Sequence, residues 1–147
     1  MLGTKAQLIK MAPIMAALHS RGIEYNFIVT GQHRETMTEI LNNFSLRQPD
    51  ARLYEGEDIT GIGDMLIWCV RLLFTARKKI QELFRNDCRG IVLVHGDTFS
   101  TLLGAFLGRR ASLKVGHVES GLRSHNLLNP FPEEIVRLLT FRLADYR

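Results

Sequence analysis

The sequence predicts an α/β protein built on a doubly wound parallel sheet, and two observations support this fold class. Segments typical of strands and of helices alternate along the chain, which is the pattern of a parallel sheet with helices on both faces. The strand segments near 90–97 and 113–118 are continuously apolar, as expected for strands covered on both faces. The length of 147 residues fits one Rossmann-like domain.

The first third of the chain predicts two strands and two helices. Residues 3–13 contain Pro13 within an apolar stretch, so we expect a helix that is kinked or starts late. Residues 25–31 are aromatic and β-branched and end at a glycine, which predicts a strand. A helix is expected over 34–44, and a short strand over 51–54.

The helix over about 62–86 is the clearest element. Its apolar residues recur at three- and four-residue spacing. The predicted core stripe consists of Ile62, Met65, Leu66, Cys69, Leu73, Ala76, Ile80 and Leu83. The apolar window at 65–74 is about half of the roughly 20 residues that span a bilayer, so no spanning segment is predicted.

The remaining elements follow the same alternation. A strand over 90–97 leads into a helix over 98–108 that ends at Gly108. The strand over 113–118 comes next, and Pro132, a residue suited to the first helical position, opens the last helix.

Composition excludes several classes of protein. The chain has 19 Lys and Arg against 15 Asp and Glu, a formal charge of +4. That balance suits an anionic ligand, and no basic run points to nucleic acid. The two cysteines, Cys69 and Cys88, form no metal or redox spacing, which predicts a reduced, cytoplasmic protein.

Polar residues gather where the predicted strands end. They are residues 31–33, 95–98 and 119–121, and each group combines glycine with ionisable side chains. Ligands of doubly wound folds bind outside the carboxyl ends of the strands. The sequence therefore predicts a ligand site at this edge.

Each charged residue at this edge has a structural and a functional interpretation. Either Asp97 or Thr98 caps the next helix, or Asp97 serves as an active-site carboxylate near an anion-favouring helix start. Glu119 either pairs with Arg123 or acts in chemistry. Glu133 either favours the positive end of its helix or belongs to the site. Lys10 lies either on a solvated face or near a bound phosphate.

His117 precedes Glu119 by two residues. A histidine in this setting is more commonly a core group with its hydrogen bonds satisfied. His-x-Glu also occurs in zinc deaminases, but the Pro-Cys-x-x-Cys that completes their metal site is absent. Neither a metal nor another cofactor is therefore predicted.

Five motifs in order carry a family resemblance: Gly-Thr with Lys-Met-Ala-Pro, Thr-Gly-Gln-His, His-Gly-Asp-Thr, Gly-His-Val-Glu-Ser-Gly-Leu-Arg and Pro-Phe-Pro-Glu-Glu. Together they resemble the N-terminal half of the non-hydrolysing UDP-N-acetylglucosamine 2-epimerases. The resemblance implies a two-domain glycosyltransferase-B type of fold. It also implies interconversion of UDP-N-acetylglucosamine and UDP-N-acetylmannosamine, an isomerase reaction of polysaccharide biosynthesis, by elimination and re-addition of UDP.

The resemblance also implies roles for individual residues. The acid/base candidates are the carboxylates Asp97, Glu119 and Glu133. The substrate-binding candidates are Lys5, Lys10, Gln32, His33, Arg123 and Arg137. Clustered carboxylates raise one another's pKa, which would suit proton transfer near neutral pH.

Two departures and two missing parts qualify this resemblance. The family's usual Gly-Thr-Arg-Pro-Glu is Gly-Thr-Lys-Ala-Gln here, and the usual Asn-Arg-Arg is Val-Arg-Leu at 136–138. Residues 1–147 correspond to a single Rossmann-like domain with a truncated first strand. The resemblance implies that the family's C-terminal nucleotide-binding domain lies outside these residues.

The chain alone is therefore expected to be inactive, and the full-length form is expected to be a homodimer. Alternatives are a non-catalytic module of the same fold, or a related hydrolysing epimerase or glycosyltransferase.

Overall fold

A computed structural model describes residues 1–31, 40–44, 46–54, 61–84 and 89–147, apart from the side chains of residues 62 and 77. The described elements, in chain order, are α1 (Lys5–Ser20), β1 (Ile28–Val29), β2 (Ala51–Arg52), α2 (Ile62–Leu83), β3 (Ile91–His95), α3 (Phe99–Arg110), β4 (Lys114–Val118) and α4 (Glu133–Leu143). The predicted alternation of strands and helices is confirmed. Most of the helix predicted over 34–44 lies outside the described residues, and 40–43 are helical.

The strands are parallel and follow the order of a doubly wound sheet. β1 pairs with β2, and β3 pairs with β4, both in parallel. The chain start lies between these pairs, because Leu2 bridges Val29 in parallel and the Met1 amine donates to the Leu93 carbonyl at 2.7 Å. Tyr146 bridges the far side of β4. The spatial order matches the 3-2-1-4-5-6 arrangement of dinucleotide-binding folds, with Leu2 marking the short first strand.

Helix α1 begins earlier than the proline suggested. Thr4 caps it by accepting from the Gln7 backbone N–H, and the Gln7 side chain returns a bond to the cap. This reciprocal capping box fixes the start of the helix just after the first strand. The helix continues through Pro13 to Ser20, so the expectation of a late start is wrong.

Helix α2 buries a face that overlaps the predicted stripe in part, because Met65, Ala76 and Ile80 are buried as predicted. Its buried residues are Met65, Trp68, Leu72, Ala76 and Ile80. Of the predicted stripe, Leu66 is 54% exposed, and Cys69 and Leu73 are only partly buried. The helix is apolar on more than one side, so periodicity alone could not select the face that packs on the sheet.

The predicted ends of two helices shift by a few residues. Pro132 is the cap of α4 rather than its first residue, and α2 ends at Leu83.

No helix in the described parts of the chain has the length and apolar character needed to cross a membrane.

Candidate active site

The carboxyl ends of β3 and β4 deliver two carboxylates to one edge of the sheet. Asp97 follows β3 by two residues, and Glu119 immediately follows β4. Gly96 and Glu119 both have left-handed backbones, with φ of 73° and 66°. This conformation is uncommon for a residue with a side chain and costs roughly 1–3 kcal/mol where the surroundings enforce it. The fold thus holds Glu119 in a strained position at the edge where doubly wound folds generally bind ligands.

Two basic side chains contact the Glu119 carboxylate. The Lys10 ammonium, from the second turn of α1, donates to Oε1 at 2.8 Å and to Oε2 at 2.9 Å. His95 Nε2 lies 3.3 Å from Oε2. The hydrogen bond from Lys10 lowers the pKa of Glu119 despite some desolvation. The expectation that neighbouring carboxylates raise this pKa is therefore wrong for Glu119, because its nearest charged neighbour is a cation.

Arg137 joins the two strand ends to α4. Its guanidinium forms an ion pair with the Asp97 carboxylate and donates to the Glu119 carbonyl at 2.9 Å. The Arg137 side chain is 9% exposed, so α4 inserts this cation beneath the edge. Thr98, rather than Asp97, caps α3 by accepting from the Thr101 N–H. The capping alternative thus applies to Thr98, and Asp97 is bound to Arg137.

Arg123 pairs with Glu134 and not with Glu119. Arg123 Nε donates to Glu134 Oε1 at 2.5 Å, and the Ser124 N–H donates to Oε2 at 3.2 Å. Glu134 is 2% exposed, and the hydrogen bond from Arg123 lowers its pKa. Of the two alternatives for Glu119, the pair with Arg123 is therefore wrong, and Arg123 fixes the loop between β4 and α4.

Glu133 begins α4 and lies four residues, about one turn, before Arg137. Its Oε2 is buried and has no hydrogen-bond partner within the described part of the chain. A buried carboxylate oxygen without a partner is costly. Glu133 thus has an unsatisfied, buried acceptor at the start of α4.

A buried polar layer supports the edge from below, and Gln7 lies at its centre. Gln7 Oε1 accepts from the Gly3 N–H at 2.8 Å, and Gln7 Nε2 donates to the His95 carbonyl at 2.7 Å. The same amide nitrogen bonds the hydroxyls of Thr98 and Thr101 at 2.9 and 2.8 Å. This one side chain therefore fixes the first strand, the end of β3 and the start of α3.

Gly3 allows these elements to approach each other. A Cβ on Gly3 would lie 1.9 Å from Ser100 Oγ and 2.4 Å from Thr30 Oγ1. Any side chain there would push the start of α3 away from the first strand.

Two buried histidines lie in the same layer. His95 and His117 are 5% and 3% exposed, and burial lowers the pKa of each. His117 Nε2 contacts the Gly96 carbonyl at 2.7 Å. The Nδ1 atoms of both rings lack hydrogen-bond partners among the described residues. The expectation that His117 is a core group with satisfied hydrogen bonds is therefore met at Nε2 and not at Nδ1.

Three predicted substrate-binding residues remain, and they are Lys5, Gln32 and His33. Lys5 is exposed at the first position of α1. Gln32 and His33 lie outside the described residues. The described residues contain no group of three or more His, Cys, Asp or Glu arranged to hold a metal ion.

Sequence reasoning missed the contributions of His95 and Glu134. The position of His95, at the last residue of a buried strand just before Gly-Asp, was the available indication.

These features define a Rossmann-like α/β domain whose strand ends carry carboxylates, each beside a basic side chain. A family model described as UDP-N-acetylglucosamine 2-epimerase matches residues 16–147. The chain therefore belongs to the UDP-N-acetylglucosamine 2-epimerase family.

Individual relatives agree with this assignment. The chain is 40% identical to a UDP-N-acetylglucosamine 2-epimerase of Yersinia pestis over 145 residues, covering 98% of this chain and 36% of that protein. The corresponding enzyme of Escherichia coli K12 is 39% identical over 145 residues, with the same two coverages. The chain thus spans about a third of the length of these relatives.

Solved structures show the same fold. The UDP-GlcNAc 2-epimerase of Neisseria meningitidis bound to UDP-GlcNAc aligns with a TM-score of 0.81 and 31% identity, covering 99% of this chain and 38% of that one. The Staphylococcus aureus MnaA–UDP structure aligns with a TM-score of 0.78 and 34% identity, covering 98% and 36%. The predicted glycosyltransferase-B type of half-domain is confirmed by these likenesses.

Proposed function

We propose that this chain provides the acid/base half of an enzyme that interconverts UDP-N-acetylglucosamine and UDP-N-acetylmannosamine. The observation that carries the proposal is the ionised Glu119 carboxylate, held at a strand end between Lys10 and His95. Family membership gives the reaction class. The similar Neisseria meningitidis enzyme binds UDP-GlcNAc in its crystal structure, which supports a UDP-sugar as the substrate.

The reaction needs a base near the sugar and cations near the pyrophosphate. A base takes the proton from C2, the bond between C1 and the UDP oxygen breaks, and a glycal forms. UDP then adds back while C2 receives a proton on the opposite face. Glu119 is suited to the base because it is ionised and accessible. We assign Asp97 and Glu133 to the remaining proton transfers.

The cations of the edge are assigned to the substrate's negative charge. The Lys10 side chain is half exposed, so its ammonium group can bind a phosphate oxygen of the substrate. Positive charge placed where UDP departs stabilises the leaving group. Lys5, Arg137, Gln32 and His33 are proposed as further substrate contacts. Arg123 is engaged with Glu134 and is proposed to shape the site through its loop.

A second domain is proposed to complete the cleft and to hold most of the nucleotide. The chain spans 36% of the Yersinia relative, and the family's active site, by resemblance, lies between two domains. Residues 1–147 alone are therefore expected to turn over UDP-GlcNAc poorly, because positioning of the nucleotide supplies much of the rate.

A homodimer is also proposed, with α2 as the contact surface. Leu66, Ile67, Val70 and Phe74 are 53–84% exposed on this helix. Exposed apolar faces of this kind mark interaction sites. Phe74→Glu should shift sedimentation toward the monomer if α2 forms the contact, and an unchanged dimer would assign the contact to another surface.

To test the proposal, the protein encoded by the native reading frame is incubated with UDP-GlcNAc in deuterated water. Formation of UDP-ManNAc with deuterium at C2 is expected, because the C2 proton leaves in the elimination step. Release of free N-acetylmannosamine would identify a hydrolysing enzyme instead. The absence of any conversion or C2 exchange would contradict the proposal. Residues 1–147 serve as the comparison, with turnover at least about 100-fold lower expected.

A further inference from the structure

The two basic neighbours of Glu119 differ in how firmly they are held. The Lys10 side chain is 53% exposed, whereas that of His95 is 6% exposed. The flexible Lys10 side chain can turn toward an anionic ligand at a small cost in free energy. The histidine cannot move without disturbing the end of β3.

The backbone of His95 is anchored on its inner side. Its carbonyl accepts from Gln7 Nε2 at 2.7 Å and from the Thr101 hydroxyl at 2.6 Å. These bonds tie β3 to α1 and α3, so the imidazole projects toward Glu119 from a fixed point. A ring held this way is pre-organised in the sense that catalysis requires.

The surroundings of His95 select one protonation state. His95 Nε2 lies 3.3 Å from Glu119 Oε2, and an ionised carboxylate only accepts hydrogen bonds, so we assign the ring hydrogen to Nε2. Nδ1 is buried without a partner among the described residues, and a second proton there would lack an acceptor. The other charged or titratable groups near His95 are Lys10, Asp97 and His117. Burial outweighs the attraction of Glu119 and lowers the pKa of His95.

We propose that His95 is a positioning residue for Glu119: its neutral Nε2–H holds the carboxylate in place when Lys10 leaves it for an anionic group of the substrate. This inference rests on the proposed function. Departure of Lys10 removes the main stabilisation of the ionised carboxylate and makes Glu119 a stronger base. His95 does not compete for the proton that Glu119 takes from C2, because its own Nδ1 site disfavours a second proton.

The first test reads the contact without any turnover. In residues 1–147 with ¹³C-labelled glutamate, the Glu119 carboxyl is titrated in wild type, His95→Gln and His95→Asn. Glutamine places its amide nitrogen near the position of Nε2, whereas asparagine places it near Nδ1. We expect the pKa of Glu119 to rise in His95→Asn and to stay near the wild-type value in His95→Gln. Equal values in all three proteins would overturn the inference.

The second test uses epimerisation by the product of the native reading frame. His95→Asn should lower kcat by about 10–100-fold with little change in KM, the loss expected from a misplaced catalytic group. His95→Gln should restore most of kcat. Equal loss in both variants would mean that His95 acts only in folding, and the inference would fall. If the wild type itself shows no epimerisation, the proposed function fails, while the carboxyl titration still decides whether His95 holds Glu119.

Discussion

Two glutamates near the same edge of the sheet behave in opposite ways. Glu119 has a side chain 27% exposed and a half-exposed lysine as its partner. Glu134 is 2% exposed and is bound by Arg123 and the Ser124 N–H. The difference teaches that the exposure of the carboxylate and of its partner together separates the two roles. A partly exposed carboxylate with a half-exposed lysine partner can exchange that partner for a ligand, whereas a buried carboxylate bound by an arginine that is only 24% exposed holds the fold.

The same contrast separates the outer and inner layers of the edge. The outer layer consists of Lys10, Glu119 and Asp97, which meet solvent in part, with the buried Arg137 beneath them. The inner layer consists of Gln7 and the backbone groups that it bonds. Changes in the inner layer should therefore alter stability, and changes in the outer layer should alter chemistry.

The largest expected loss of stability comes from breaking the Arg123–Glu134 pair. Arg123→Ala leaves a carboxylate that is buried and has lost its cation, which is a strongly destabilising situation. We expect this variant to have the lowest melting temperature of those proposed for stability, measured by circular dichroism. Glu134→Gln is the matched control, because its amide oxygen can still accept from Arg123 and should lose less. Equal melting temperatures for Arg123→Ala and wild type would remove the structural role of this pair.

The next effect comes from the inner layer. Gln7→Leu leaves the buried N–H groups of Gly3 and Thr4 without their acceptor and should cost about 2–4 kcal/mol in the free energy of unfolding. Urea denaturation measures this loss. Gln7→Glu keeps the acceptor but sets a buried carboxylate oxygen against the His95 carbonyl, so it should lose at least as much. A cost below about 1 kcal/mol for Gln7→Leu would show that Gln7 is not the centre of this layer.

The smallest effect is a pH dependence from the buried histidines. The pKa of His95 and of His117 is lower in the folded protein than the ordinary value. The unfolded chain therefore binds more protons below about pH 6.5, and stability falls as the pH decreases. Below the folded pKa values the decline levels off.

Each histidine can contribute at most about 1.4 kcal/mol per pH unit to this slope. Urea titrations between about pH 8 and 5 should show a flatter slope for His117→Gln than for wild type. A slope that does not change would assign the pH dependence to other groups.

The sequence predicted the frame of the site better than its pairings. The apolar strands ending in Gly-Asp and Glu-Ser-Gly placed Asp97 and Glu119 at the carboxyl edge, and the parallel order of β3 and β4 confirms that placement. A pair between Glu119 and Arg123 was one of the two alternatives for Glu119. That pairing depended on side-chain direction, which the strained backbone of Glu119 and the path of the following loop decide.

Two further outcomes depended on packing. The adjacent residues Glu133 and Glu134 have the same local chemistry, and only the docking of α4 buries one of them against Arg123. In α2, Trp68 and Leu72 are buried in the core, whereas Leu66 is exposed and Leu73 is only partly buried, because the apolar surface of the helix is wider than the contact that it makes. Cytoplasmic location and the individual substrate contacts stay predictions.

The comparison of the two glutamates is tested most directly by kcat/KM for UDP-GlcNAc in Glu119→Gln and Glu134→Gln of the native-frame product. The values are taken at a temperature where both variants are folded. We predict that Glu119→Gln loses about 10²–10⁴-fold, the usual contribution of a general base, with its melting temperature nearly unchanged. Glu134→Gln should stay within about tenfold of wild type while melting earlier. Full activity in Glu119→Gln, or an equal loss in both folded variants, would contradict the assignment of these two carboxylates.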